Sequence, residues 1–235
     1  MLRLYVDAPL AAGQRLDLPP GPARHAQVRR VQPGDALLLF DGRGGEWQAR
    51  VQAMGRQSVQ VELLAHAAVD RELRPRVTLA VGMPANERMD WLVEKATELG
   101  AAALQPLLCE RSVLRLQGER AERKREHWQA QAVAAAEQCG RTQLPAVQPV
   151  RRPADWLHGL PAGGVRWLLS PQAASPPARP AADAALLVLS GPEGGLSADE
   201  ERAARAAGFD AVQLGPRVLR AETAPLAVLA WLALG

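Results

Sequence analysis

Cysteine is scarce: Cys109 and Cys139 are the only two in 235 residues. They have neither a second pair nor a neighbouring histidine cluster, so neither a disulfide framework nor a zinc site has any spacing in its favour. His25, His66, His127 and His158 show no ligand spacing, and no metal is expected. No apolar run approaches the roughly 18 residues of a membrane span. The opening MLRLYVDAPL has no basic segment leading into an apolar one and a cleavage site, which reads as a cytoplasmic chain without a membrane partner. Also missing are G-x-G-x-x-G and G-x-x-x-x-G-K-[ST], the fingerprints of dinucleotide and nucleoside-triphosphate cradles. A nicotinamide-type oxidoreductase, which alternating α/β texture alone would suggest, loses its main support.

What is present is ordinary globular material, 48% hydrophobic and 23% charged, enough for one large domain or two smaller ones. Formal charge is only +3, yet the isoelectric point is about 9.4 because arginine greatly outnumbers lysine. Guanidinium groups fork onto phosphate and stack on bases. A G and C-rich genome produces the same excess, so the placement of arginines carries more than their number.

The first seventy residues read as short strands, at LRLYV, 36–41, 46–54 and 58–65, with Pro33-Gly34-Asp35 and Gly42-Arg43-Gly44-Gly45 as turns. This predicts a small β-barrel or sandwich over residues 1–72, ended by the charged, proline-bearing DRELRPR. From 73 to 235 strands alternate with helices. Strands fall at 77–83, 103–108, 165–170, 185–190 and 211–214. Met89, Leu92, Val93, Ala96 and Leu99 share a helical face, with Asn86 placed to cap it and Gly100 to end it, and a long helix covers 118–139 before Gly140. Such alternation predicts an α/β fold with a mostly parallel sheet covered on both faces.

Two glycine-broken loops stand out. In LLVLSGPEGGLSADEE a strand ends at Ser190, the loop is GPEGG, and Ser197 with Glu200 forms a capping box. The loop therefore sits at the carboxyl edge of a parallel sheet, where α/β proteins bind ligands. Glu193 opposes an anion there, so a ligand offering hydroxyls, an amine or a positive sulfur suits it better than a phosphate. A tight turn is the plainer reading of GPEGG. The second loop, LGPRVLRAETA at 214–224, leads into an apolar final helix, where Glu222 and Thr223 can cap free amides.

These loops, with the helix DWLVEKATELGA, the segment CERS at 109–112 and AEQCGR at 136–141, resemble the ribosomal RNA small subunit methyltransferase E family over nearly the whole chain. One stretch departs: MPANERMD stands where a Lys-Gly-like turn is expected before the "R/KMD" element. The resemblance implies S-adenosylmethionine-dependent methylation of N3 of a uridine in 16S rRNA of the small ribosomal subunit. It further implies a trefoil-knotted SPOUT α/β methyltransferase domain behind an N-terminal PUA-like β-barrel that binds RNA. A non-catalytic RNA-binding or ribosome assembly factor of the same fold is the alternative; the intact loops argue against it.

By the same resemblance the cofactor lies among Leu169, Ser170 and Pro171, then Ser190, Gly191, Pro192, Glu193, Gly194 and Gly195, then Leu214, Gly215, Leu219, Thr223 and Ala224. Its lack of a phosphate explains why the glycine loop has no need to attract an anion. Glu193 bonds cofactor hydroxyls, caps a turn or faces RNA. A permanently charged arginine is a poor base, so Arg220 is cast as the cation that stabilises negative charge on the uracil, a phosphate clamp being its plainer role. Glu222 accepts the ring proton or orients Arg220. Arg111 and Arg141 match family motif positions and are expected to contact RNA or the active site. Arg24, Arg29 and Arg30 form the best basic cluster of the N-terminal domain, with Tyr5 and Trp47 as possible stacking surfaces. The long helix and the apolar last helix exceed what one sheet face needs, and members of this class pair their knotted domains, so a homodimer is expected.

Overall fold

The computed structural model describes residues 1–85 and 87–234; the expected cap Asn86 lies outside them. The chain divides into two compact units, Met1–Glu72 with Ala136–Leu144, and Leu73–Ala135 with Pro145–Gly235.

The first unit is built from β1 (Leu2–Tyr5), β2 (Arg15–Asp17), α1 (Pro20–Val28), β3 (Ala36–Phe40), β4 (Glu46–Met54) and β5 (Val59–Ala67). Val59, Val61 and Leu63 alternate inward along β5 and meet Leu4, Leu37, Leu39 and Val51 in a single core with Ala23 and Ala26 of α1. This period of two is what a sheet buried on one face requires. The strand order is β1-β3-β4-β5-β2, with β1 and β3 parallel and the other pairs antiparallel. No pairing joins β1 to β2 among the described residues, so the expected barrel takes the form of an open five-stranded sheet. The helix α1 had no counterpart in the sequence reading. Pro20 and Pro22 look like breakers, but a first turn uses no internal N–H donors and tolerates proline there.

The second unit runs β6 (Arg76–Gly82), α2 (Glu87–Glu98), β7 (Ala103–Leu107), α3 (Gly118–Cys139), β8 (Ala146–Val147), α4 (Pro153–His158), β9 (Val165–Leu169), β10 (Ala185–Ser190), α5 (Ala198–Ala206), β11 (Asp210–Val212) and α6 (Thr223–Ala233). The last turn of α3 and the loop after it, Ala136–Leu144, belong to the first unit, which is therefore made of two stretches of chain rather than one. The six strands are all parallel, in the order β11-β9-β10-β6-β7-β8. Val77, Leu79 and Val81 of β6 pack with Met89, Leu92 and Val93 of α2, Trp128 of α3 and Leu226 and Leu229 of α6. Ala80, Leu168 and Leu189 point the other way, onto Trp156 and Leu157 of α4 and Ala204 of α5. Helices thus cover both faces, which is why the central strands read as unbroken apolar runs. Gly100 and Gly140 follow α2 and α3 at φ +92° and +89°, the left-handed conformation that ends a helix at little cost only in glycine.

Candidate active site

Chain order and strand order disagree at two places, the crossover from β8 to β9 and the step from β10 past β9 to β11. After β8 the chain crosses to the other side of β6 and lays down β9, β10 and β11 there. The carboxyl ends of these three strands carry a cleft of about 470 Å³, of the size that holds a small organic ligand. Leu169–Gln172 follow β9, Ser190–Leu196 follow β10, and Val212–Ala221 with Ala224 follow β11; all but Pro216 line it. Every expected cofactor residue lies on its wall except Thr223, which is exposed and does not line it.

The glycines of the β10 loop are of two kinds. A Cβ on Gly191 would come 2.8 Å from the Leu196 nitrogen, so this position is glycine because the loop folds back onto itself. Gly195 and, on the other loop, Gly215 have φ of +72° and +98°, and a Cβ there would meet nothing within 4 Å. They leave bare backbone against the open cleft. The loop ends in the capping box: Ser197 Oγ accepts from the Glu200 amide and Glu200 Oε2 accepts from the Ser197 amide at 2.8 Å. Glu200 Oε1 also accepts from the Glu110 amide at 2.9 Å, tying CERS to the start of α5. Within CERS the Cys109 thiol is buried and pushed up to about 12 by desolvation and by the nearby Glu200 carboxylate, which leaves it protonated and inert at neutral pH.

Polar atoms around the cleft are unequally satisfied. Glu193 Oε1 accepts from the Ala85 amide at 2.9 Å and from Arg88 at 3.4 Å, so this carboxylate is taken up by the chain at the start of α2. Arg111 donates to the carbonyls of Gly194 and Leu196 at 3.1 and 3.2 Å and lines the cleft as a brace for the glycine loop. Arg220 is exposed on the rim. Glu222 is the N-cap of α6 but makes no side-chain capping bond, because its carboxylate is turned elsewhere. It is 7% exposed, with Oε1 at 3.9 Å from Arg88 Nε and Oε2 buried without a hydrogen-bond partner among the described residues. Ser190 Oγ is likewise buried and unpartnered. Orphaned buried oxygens are rare in folded proteins; of these two residues Ser190 lines the cleft and Glu222 does not.

Arg88 was missed in the sequence. It opens the "R/KMD" element of MPANERMD, where only the turn before it departs from the family pattern, and its position just past the carboxyl end of β6 put it on the ligand-bearing edge. Of the other expected residues, Arg24, Arg29 and Arg30 are exposed on α1 and just after it, in the first unit. Arg141 is different: it is 4% exposed and its guanidinium is paired with Glu72, which also accepts from the Gln143 amide. A guanidinium held in this way is not presented to RNA, and Arg141 does not line the cleft. Tyr5 and Trp47 are half-buried against Phe40 and His66, with ring centroids 5.7 and 4.8 Å apart. No group of His, Cys, Asp and Glu able to hold a metal occurs among the described residues.

The parallel sheet, with a cleft at its carboxyl edge, defines an α/β protein, joined to a separate small β unit. Residues 71–233 match the RNA methyltransferase domain family and residues 23–64 the RNA methyltransferase PUA domain. The ribosomal RNA small subunit methyltransferase E of Synechocystis sp. is 35% identical over 210 residues, 87% of this chain and 67% of that protein. Its namesake from Bacillus subtilis is 34% identical over 86% of this chain and 82% of that one. The crystal structure of a ribosomal RNA small subunit methyltransferase E from Neisseria gonorrhoeae bound to S-adenosyl methionine superposes with a TM-score of 0.92 at 37% identity, covering 98% of this chain and 96% of the other. The chain belongs to the ribosomal RNA small subunit methyltransferase E family of RNA methyltransferases.

Proposed function

We propose that this protein uses S-adenosylmethionine to methylate N3 of a uridine in 16S rRNA of the small ribosomal subunit. The observation that carries the reading is the cleft at the ends of β9, β10 and β11, walled by bare glycine backbone and lined by no phosphate-cradling motif, in a chain whose structural relative was solved with that cofactor. The residues fit such a ligand. Gly195 and Gly215 leave room for close approach, and Ser190 Oγ lacks a partner among the described residues. Leu169–Pro171, Ser190–Gly195, Leu214, Gly215, Leu219 and Ala224 would hold the cofactor, which supplies an electrophilic methyl group on a sulfonium.

The chain's own groups deal with the uracil. N3 carries a proton that must leave as the N–CH3 bond forms. Glu222, placed between the wall residues Ala221 and Ala224 but not itself on the wall, accepts it and later releases it to solvent. Arg220, permanently charged and exposed on the rim, stabilises the negative charge that develops on the ring oxygens. RNA is held by the exposed arginines Arg24, Arg29 and Arg30 of the PUA domain. The segment after β11 passes through the loop after β9 as the trefoil knot of the SPOUT class, a rare exception to the rule against threading; proteolytic release that let α6 slip free without unfolding would refute the knot. The cytoplasm, where ribosomes are made, is the place of action, and fractionation tests it. Trp231 and Trp91 are 40% and 46% exposed on α6 and α2, apolar surface suited to a second copy of the chain. Light scattering should accordingly return twice 25.2 kDa.

Methyl transfer from labelled S-adenosylmethionine to unmodified small subunits and to free 16S rRNA, followed by mapping of the modified nucleotide, tests the function. Label on N3 of a single uridine is expected. Binding of rRNA without transfer to either substrate would instead establish a non-catalytic assembly factor.

A further inference from the structure

We infer that Arg88 is a positioning residue of this site, holding the Glu222 carboxylate through an ion network anchored by Glu193. The inference rests on the methyl-transfer reading above and assigns a role to the arginine of the R-M-D element in the first turn of α2.

The three side chains come from three elements. Glu193 belongs to the loop after β10, Arg88 to the first turn of α2 and Glu222 to the residue that starts α6. Glu193 Oε1 accepts from both the Ala85 amide, at 2.9 Å, and Arg88 NH1, at 3.4 Å, so its carboxylate fixes the guanidinium from one side. Nε of the same guanidinium lies 3.9 Å from Glu222 Oε1 on the other. Among the described residues Glu222 has no second partner: it makes no capping bond to α6, and Oε2 is buried and unsatisfied. A carboxylate 7% exposed with one orphaned oxygen is unfavourable unless a neighbouring cation and a ligand compensate. Arg88 supplies the cation. Its Nε faces Oε1 as an ion pair rather than a hydrogen bond, and that contact orients the carboxylate. This arrangement gives Glu193 a use inside the protein, tying the glycine loop to α2, and takes the work of orienting Glu222 away from Arg220.

The test is a pair of double-mutant cycles on the full-length protein. Arg88→Ala is expected to lower kcat at least about tenfold, the order of coupling seen within one ion network, with cofactor affinity by calorimetry changed far less. Arg88→Lys, which keeps the charge and loses the fork, should recover part of the loss. Because Arg88 acts through Glu222, Arg88→Ala/Glu222→Gln should be no slower than Glu222→Gln alone. A second cycle uses thermal unfolding: Arg88→Ala should lower Tm at neutral pH by leaving a buried carboxylate unpaired, and adding Glu222→Gln should restore much of it. Losses in kcat that multiply, an Arg88→Ala enzyme as fast as the parent, or a Tm that Glu222→Gln does not restore would overturn the inference. Should the parent protein itself transfer no methyl group, the functional reading fails, while the unfolding cycle still decides whether Arg88 and Glu222 are coupled.

Discussion

Gly82, the last residue of β6, shows how little space the cleft leaves behind its walls. A Cβ at this position would come 2.4 Å from both the nitrogen and Cδ of Pro192, two rigid atoms of the glycine loop. Gly82→Ala must therefore push that loop toward the cleft. The expected cost is about 1–3 kcal/mol, typical of overpacking, read as a Tm lower by about 2–4 °C for each kcal/mol in a protein of this size, together with a cofactor affinity that falls by more than stability accounts for. Unchanged calorimetric binding in the folded variant would mean that the loop yields without cost. At this scale the sequence was informative where backbone chemistry speaks for itself. Gly191 and Gly195 sit in a motif whose spacing places them on the ligand edge. It was uninformative for side chains whose partners lie far along the chain. Nothing near Arg88 announces that Glu193 and Glu222 converge on it from 105 and 134 positions away, and nothing near Arg141 announces Glu72.

Elements carry a second lesson, because α3 serves two cores. Trp128 and Ala132 pack in the second unit, while Ala136–Leu144 belongs to the first. There Arg141 and Glu72 form a buried pair, Thr142 Oγ1 donates to the Val69 carbonyl at 3.1 Å, and the Tyr5 amide donates to Glu137 at 2.9 Å. The AEQCGR motif is thus placed as a structural insert in the β unit, and its arginine balances a buried carboxylate. Arg141→Ala should cost about 3–5 kcal/mol, the penalty for stranding one member of a buried pair. Arg141→Ala/Glu72→Gln should recover a large part of it in chemical denaturation. Loss of RNA binding with stability intact would return Arg141 to the recognition surface. The long helix and the β6, β9 and β10 strands were legible because their hydrophobic periodicity extends over several residues. The helix α1 and the strands β2 and β8 were not: β2 and β8 span three and two residues, too short for a period to register, and α1 opens in prolines. The open edge between β1 and β2 was equally hidden, since strand pattern reveals burial and not which edges meet.

For the molecule as a whole, the net charge of +3 is too small to bring it to RNA by itself. What matters is where the arginines stand once those committed to structure are set aside. Arg141 is buried against Glu72, Arg111 braces the glycine loop and Arg88 is held between two carboxylates. Arg24, Arg29 and Arg30 are exposed on α1 and just after it, within the PUA domain match. Each phosphate neutralised on a single strand adds about 0.7 to the slope of log K against log salt. Replacing the three by alanine should therefore make that slope shallower by about 2 for 16S rRNA, weaken binding at low salt, and leave calorimetric affinity for S-adenosylmethionine unchanged because none of them lines the cleft. A slope that does not move would place the phosphate contacts on other arginines, with Arg217 and Arg220 at the cleft rim the next to replace. If they carry the contacts instead, cofactor binding and RNA binding should become coupled, since both residues line the cleft proposed for the cofactor.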